Sequence, residues 1–128
     1  MQIHQSAEDY LETILMLNQR MGRVRSIDVV NELGYTKASV SIAMKKLREN
    51  GYIAVDGEGN LTLLEPGREI AERIYSRHRL LTHFFVQLGV DEETAAEDAC
   101  KAEHILSEQT LEKIREYALL HDAQDSIK

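Results

Sequence analysis

The stretch from Ser26 to Gly51, SIDVVNELGYTKASVSIAMKKLRENG, decides how this chain folds. Ser26 opens a short helix with Ile27, Val30 and Leu33 inward, and Gly34 closes it. Thr36 is a capping residue, and behind it Val40, Met44 and Leu47 fall at i, i+4 and i+7 of a second helix that Gly51 stops. The period then changes. Tyr52-Ile53-Ala54-Val55 and Leu61-Thr62-Leu63-Leu64 are strand candidates around the turn Asp56-Gly57-Glu58-Gly59-Asn60, a predicted β-hairpin. Two short helices joined by Gly34-Tyr35 and followed by a two-stranded wing make a winged helix-turn-helix.

On a wheel of about 100° per residue, Val40, Ala43, Met44 and Leu47 share the arc that packs inward. Ala38, Ser41, Ile42 and Lys45 share the opposite arc, flanked by Ser39 and Lys46, with Lys37 at the helix start. These small or basic side chains suit close approach to base edges and phosphates. The candidate DNA-contacting set is therefore Lys37, Ala38, Ser39, Ser41, Ile42, Lys45 and Lys46. Asp56 and Glu58 make the wing turn unsuited to phosphate contact.

Upstream, Ser6 is the expected cap of a first helix whose apolar stripe is Tyr10, Leu11, Ile14, Leu15 and Leu17, and Gly22 ends it. Downstream, Pro66 fits the first turn of a long helix to about Leu88, with Ile70, Ile74, Leu81, Phe84 and Leu88 on one side. Asp91 is placed to cap a helix running through Ala95, Ala99, Cys100 and His104 to Leu106. Ser107 is placed to cap the last helix, with Leu111, Ile114 and Ala118 inward. The expected fold is mainly α: a winged helix-turn-helix domain over residues 1–70, then an all-α domain over 71–128.

At 128 residues, 43% hydrophobic and 29% charged, the chain can bury a core, which excludes a disordered protein. A single cysteine, Cys100, excludes an internal disulfide. No apolar run approaches about 18 residues, and MQIHQSAEDYLE lacks the layout of a signal peptide. The expectation is a cytoplasmic protein without a membrane partner. The net charge of −7 argues at first against nucleic acid, but residues 1–79 carry 11 basic and 11 acidic side chains, whereas 80–128 carry 4 and 11. The DNA-binding half is thus balanced and the acidity lies behind it.

Cys100, Glu103 and His104 stand at i, i+3 and i+4, so a helix would gather thiolate, carboxylate and imidazole on one face, donors suited to a transition metal. Asp9 and Glu12 share a face of the first helix at the same i, i+3 spacing, and His78 lies midway along the long helix. Each has an ordinary alternative. Asp9 could complete the cap begun by Ser6, Glu12 and Glu103 could be solvated charges, Cys100 a small packing residue, and His78 part of a basic surface with Arg77 and Arg79.

Several segments together resemble the diphtheria-toxin-repressor family of metal-dependent transcriptional repressors, in its short, manganese-type form. They are Ser6-Ala7-Glu8-Asp9-Tyr10-Leu11-Glu12-Thr13-Ile14, the helix-turn-helix through Lys46-Leu47, Gly51-Tyr52, Leu61-Thr62-Leu63, Arg77-His78-Arg79-Leu80-Leu81, and Cys100-Lys101-Ala102-Glu103-His104-Ile105-Leu106-Ser107. The resemblance implies a homodimer that binds a palindromic operator in double-stranded DNA when Mn(II) or Fe(II) is bound, and so controls metal homeostasis genes. It implies Asp9, Glu12 and His78 as ligands matching the manganese branch, and Glu103 and His104 as ligands shared across the family. Cys100 departs from that pattern, standing where the manganese branch has glutamate and the iron branch cysteine. Thr82 and Ala96 stand where ancillary-site ligands would be, so no ancillary site is implied. Ile42 replaces a glutamine of the iron branch, which implies a different operator.

Two rivals start from Cys100: a winged-helix regulator that senses oxidation or an organic effector, and an enzyme using Cys100 with His104 as nucleophile and base. Glu103 beside them favours metal, and no oxyanion hole or orienting group is evident for the enzyme.

Overall fold

The structure is a computed structural model that describes residues 5–127. Within them the chain forms α1 (Gln5–Met21), α2 (Ser26–Leu33), α3 (Lys37–Glu49), β1 (Ile53–Val55), β2 (Leu61–Leu63), α4 (Glu65–Gln87), α5 (Glu92–Ala102) and α6 (Glu108–Ile127). It divides into two compact units between Arg73 and Ile74, inside α4.

In the first unit α3 packs on α2, α1 and β1, and α1 also meets α2 and β2. Val40, Met44 and Leu47 are buried as their spacing requires, and Thr36 caps α3 by accepting a hydrogen bond from Ser39 N at 3.1 Å. Gly22 (φ 81°) and Gly34 (φ 72°) take the left-handed backbone that closes α1 and α2. β1 and β2 pair antiparallel with Ile53 opposite Leu63 and Val55 opposite Leu61. The wing is tied back by Leu61 N donating to Val24 O at 2.7 Å, and Val24 is fully buried.

Two local expectations fail in this unit. Ser6 is the second residue of α1, so the capping position falls outside the described residues. In α2 the buried residue is Val29, and Ile27 is exposed. Residues two apart point about 200° away from one another on a helix, so once Val29 faces the core Ile27 cannot. Val30 and Leu33 are half-buried beside it.

Gly67 lies in the first turn of α4. A Cβ there would overlap the carbonyl oxygen of Tyr52 and stand 3.0 Å from its carbonyl carbon. α4 therefore approaches the start of the hairpin at a distance only glycine permits.

In the second unit Leu81, Ala99 and Leu111 are buried together, and Leu80, Phe85, Ala102, Leu106 and Ile114 pack around them. Asp91 caps α5 by accepting from Thr94 N at 3.1 Å, and this bonding by Thr94 holds the Asp91 carboxyl below the usual carboxylate range. Ser107 caps α6 in the same way, accepting from Thr110 N at 3.2 Å. Leu88, expected on the packed side of the long helix, lies past its end and is exposed, because Gly89 (φ 107°) already turns the chain there. The helix expected to reach Leu106 stops at Ala102. Ile105 N donates to Ala102 O at 3.1 Å, an i→i−3 bond that tightens the last turn so that the chain can reverse before Ser107.

Candidate metal centre and nucleic-acid interface

The shortened α5 changes how its candidate ligands are held. Glu103 is the C-terminal cap with helical dihedrals (φ −58°, ψ −24°), and its N–H still donates to Ala99 O at 2.9 Å. It therefore stays on the face of Cys100, one turn earlier, whereas His104 comes from the turn that follows. The Glu103 side chain is fully buried. His78 Nδ1, from α4, lies 3.2 Å from its Oε2, and His104 Nε2 lies 3.4 Å from its Oε1. Neither oxygen accepts a hydrogen bond.

Buried carboxylates are normally hydrogen-bonded, because an unpaired buried ion costs about several kcal/mol of desolvation. Here two imidazole nitrogens stand at the carboxylate without making that bond. Carboxylate and imidazole donors in this arrangement fit a divalent transition metal. Cys100 is exposed on α5, so it is not the small buried packing residue of the ordinary alternative.

Arg77, next to His78, makes contacts that the sequence does not announce. Its Nη1 donates to the carbonyl oxygen of Glu103 at 3.2 Å, and its Nη2 pairs with Glu108. α4 thus holds the backbone of Glu103 through Arg77 and faces its carboxylate with His78. A basic residue beside a histidine gives no sequence signal for this, since it depends on where the turn after α5 lands.

In the first unit, Asp9 is half-buried and Glu12 is buried at 5% exposure, which excludes a solvated Glu12. Tyr10, between them, packs edge to face on Tyr35 with ring centroids 5.9 Å apart. Burial raises the Tyr10 phenol above its ordinary range, and the neighbouring Tyr35 and Asp9 add to the shift.

Lys37, Ala38, Ser39, Ser41, Ile42, Lys45 and Lys46 are all exposed on α3, Ile42 to 57%. The acidic wing turn proves to be internally bonded. Asp56 accepts from Glu58 N and Asn60 N at 2.9 Å each and from Asn60 Nδ2 at 3.0 Å. The bonds from Asn60 hold its carboxyl below the usual range.

Comparison with known proteins decides what this arrangement belongs to. Residues 2–61 match the N-terminal DNA-binding domain of iron-dependent repressors, and residues 64–120 match their metal-binding and dimerisation domain. The chain belongs to the iron-dependent repressor family.

An HTH-type transcriptional regulator of Methanocaldococcus jannaschii is 37% identical over 113 residues, covering 87% of this chain and 90% of that one. The HTH-type transcriptional regulator MntR of Bacillus subtilis is 32% identical over 123 residues, covering 96% and 87%. A solved manganese-dependent transcriptional repressor in complex with manganese is 28% identical with a TM-score of 0.80, covering 88% of this chain and 52% of its own. The IdeR of T. acidophilum, at 23% identity and a TM-score of 0.80 over 91% and 55%, shares the fold. The chain spans about half the length of these solved structures. Iron-dependent repressors are transcriptional regulators and not enzymes, so pairing Cys100 with His104 as nucleophile and base is set aside. The second matched domain makes a divalent metal the cofactor of this chain. Among the described residues, no helix is long and apolar enough to cross a membrane.

Proposed function

We propose that this chain is a cytoplasmic, manganese- or iron-responsive repressor that binds a palindromic operator as a homodimer and controls metal homeostasis genes. Residues 1–70 serve as the DNA-binding domain and 71–128 as the metal-binding and dimerisation domain. Asp9, Glu12, His78, Cys100, Glu103 and His104 are its metal ligands. The observation that carries this proposal is the fully buried Glu103 carboxylate, faced by His78 and His104 and accepting no hydrogen bond. When bound, a divalent cation supplies the positive charge that carboxylates otherwise lack among themselves. Glu103 and the two histidines bring donors from α4 and the turn after α5, and Asp9 with Glu12 brings donors from the helix on which the DNA-binding unit is built. Capture of a cation then biases the DNA-competent state by its differential affinity for it, about a few kcal/mol being sufficient. The test is operator affinity with manganese and with chelator, using a palindromic duplex selected from a random pool with the manganese-loaded protein. Chelation is expected to weaken binding at least about tenfold, and unchanged affinity would overturn the proposal.

At the DNA, Lys37, Lys45 and Lys46 supply phosphate contacts, while Ala38, Ser39, Ser41 and Ile42 approach base edges. An apolar Ile42 reads a thymine methyl rather than a hydrogen-bonding edge. Replacing Lys45 and Lys46 together by alanine is expected to weaken binding to all duplexes and to reduce the salt slope by up to about two units. An unaltered slope would take α3 off the DNA backbone.

Cys100 tunes the metal. Thiolate is softer than carboxylate and favours iron, cobalt and zinc over manganese, whereas Asp9 and Glu12 pull toward manganese. Cys100→Glu is expected to improve manganese activation relative to iron and to raise the metal count per subunit in anaerobic calorimetry. Unchanged stoichiometry and preference would show that Cys100 is not a ligand.

A further inference from the structure

Helix α1 carries Asp9 and Glu12, and an aromatic contact leaves it between them. Tyr10 is 7% exposed and belongs to the buried core. Its edge-to-face partner, Tyr35, lies in the connection between α2 and α3 and is half in solvent. Tyr35 is followed at once by Thr36, whose side chain caps α3 through Ser39 N and also bonds Ser39 Oγ at 2.8 Å. Residue 35 therefore adjoins the cap of α3, one residue from the turn that carries Lys37, Ala38 and Ser39. No other ring pair among the described residues joins α1 to the helix-turn-helix.

We infer that Tyr35 is a positioning residue that couples cation capture on α1 to the seating of the recognition helix, through its ring contact with Tyr10. This rests on the metal-dependent function proposed above. A change in the set of α1 on cation capture moves the Tyr10 ring with it. The aromatic contact carries that movement to residue 35, and the Thr36 cap passes it to the first turn of α3. The decisive quantity is how strongly one site biases the other, since lying between two sites is not coupling.

The measurement is the ratio of duplex affinities with saturating manganese and with chelator, for the wild type, Tyr35→Ala and Tyr35→Phe. The probe is the selected palindromic duplex. Tyr35→Ala is expected to narrow the ratio by about three- to tenfold, the range an aromatic pair contributes beyond its area. Tyr35→Phe keeps the ring and is expected to retain the wild-type ratio. Manganese affinity without DNA is expected to be equal in all three, which shows the ligands intact. A direct DNA contact by Tyr35 would weaken both affinities equally and leave the ratio unchanged, and that result overturns the inference. So does an Ala variant that changes neither affinity. A wild-type ratio of one would instead remove the metal-dependent function itself, and the coupling with it.

Discussion

Glu103→Gln is expected to raise the thermal midpoint of the cation-free protein while removing its response to manganese. The carboxylate is fully buried, faced by two imidazole nitrogens and without a hydrogen bond, so it destabilises the fold in the absence of a cation. An amide of the same shape removes the charge and offers an N–H to His78 or His104. The expected gain is about 1–3 kcal/mol, or several degrees in a scan of the chelated protein. The same change deletes a ligand, and manganese affinity is expected to fall at least about a hundredfold, beyond the loss typical of outer-shell changes. The two signs belong together. A lower midpoint with an intact manganese response would make Glu103 a structural residue.

Gly67→Ala is expected to lower stability by about 3 kcal/mol, toward the upper end for overpacking, and the midpoint by roughly 10 °C. The added methyl would run into the Tyr52 carbonyl group, whose oxygen already accepts from Leu64 N at 3.0 Å. Neither backbone yields without disturbing the wing or the start of α4. At Gly57, in the wing turn, an added methyl would meet nothing within 4 Å, so Gly57→Ala is the matched control and is expected to be near neutral. Equal effects of the two substitutions in thermal or urea unfolding would contradict the close approach.

What could be read from the sequence was local. Thr36, Val40, Met44, Leu47 and Gly51 specify α3 through capping, period and a left-handed stop, each decided within a turn or two of chain. The hairpin followed from strand-forming residues on either side of a glycine-rich turn. At the site, the spacing of Glu103 and His104 marked them as candidates, but the helix end at Ala102 was hidden because the reversal into α6 imposes it from outside. The burial of Glu12 depends on packing around α1 and has no sequence signal. Tyr35 and Arg77 were missed for the same reason: each matters through a partner distant in sequence, Tyr10 and Glu103. Gly67 left one trace, a glycine inside a helix start where alanine would be the better helix former.

Manganese titrated calorimetrically into the wild-type protein, with and without the selected palindromic duplex, tests most directly whether metal and DNA are linked. Linkage is reciprocal, so the tightening of manganese binding by the duplex, multiplied over the ions held by one dimer, must equal the factor by which manganese tightens duplex binding, expected to be at least about tenfold. Equal manganese affinity in the presence and absence of the duplex would contradict a metal-dependent repressor.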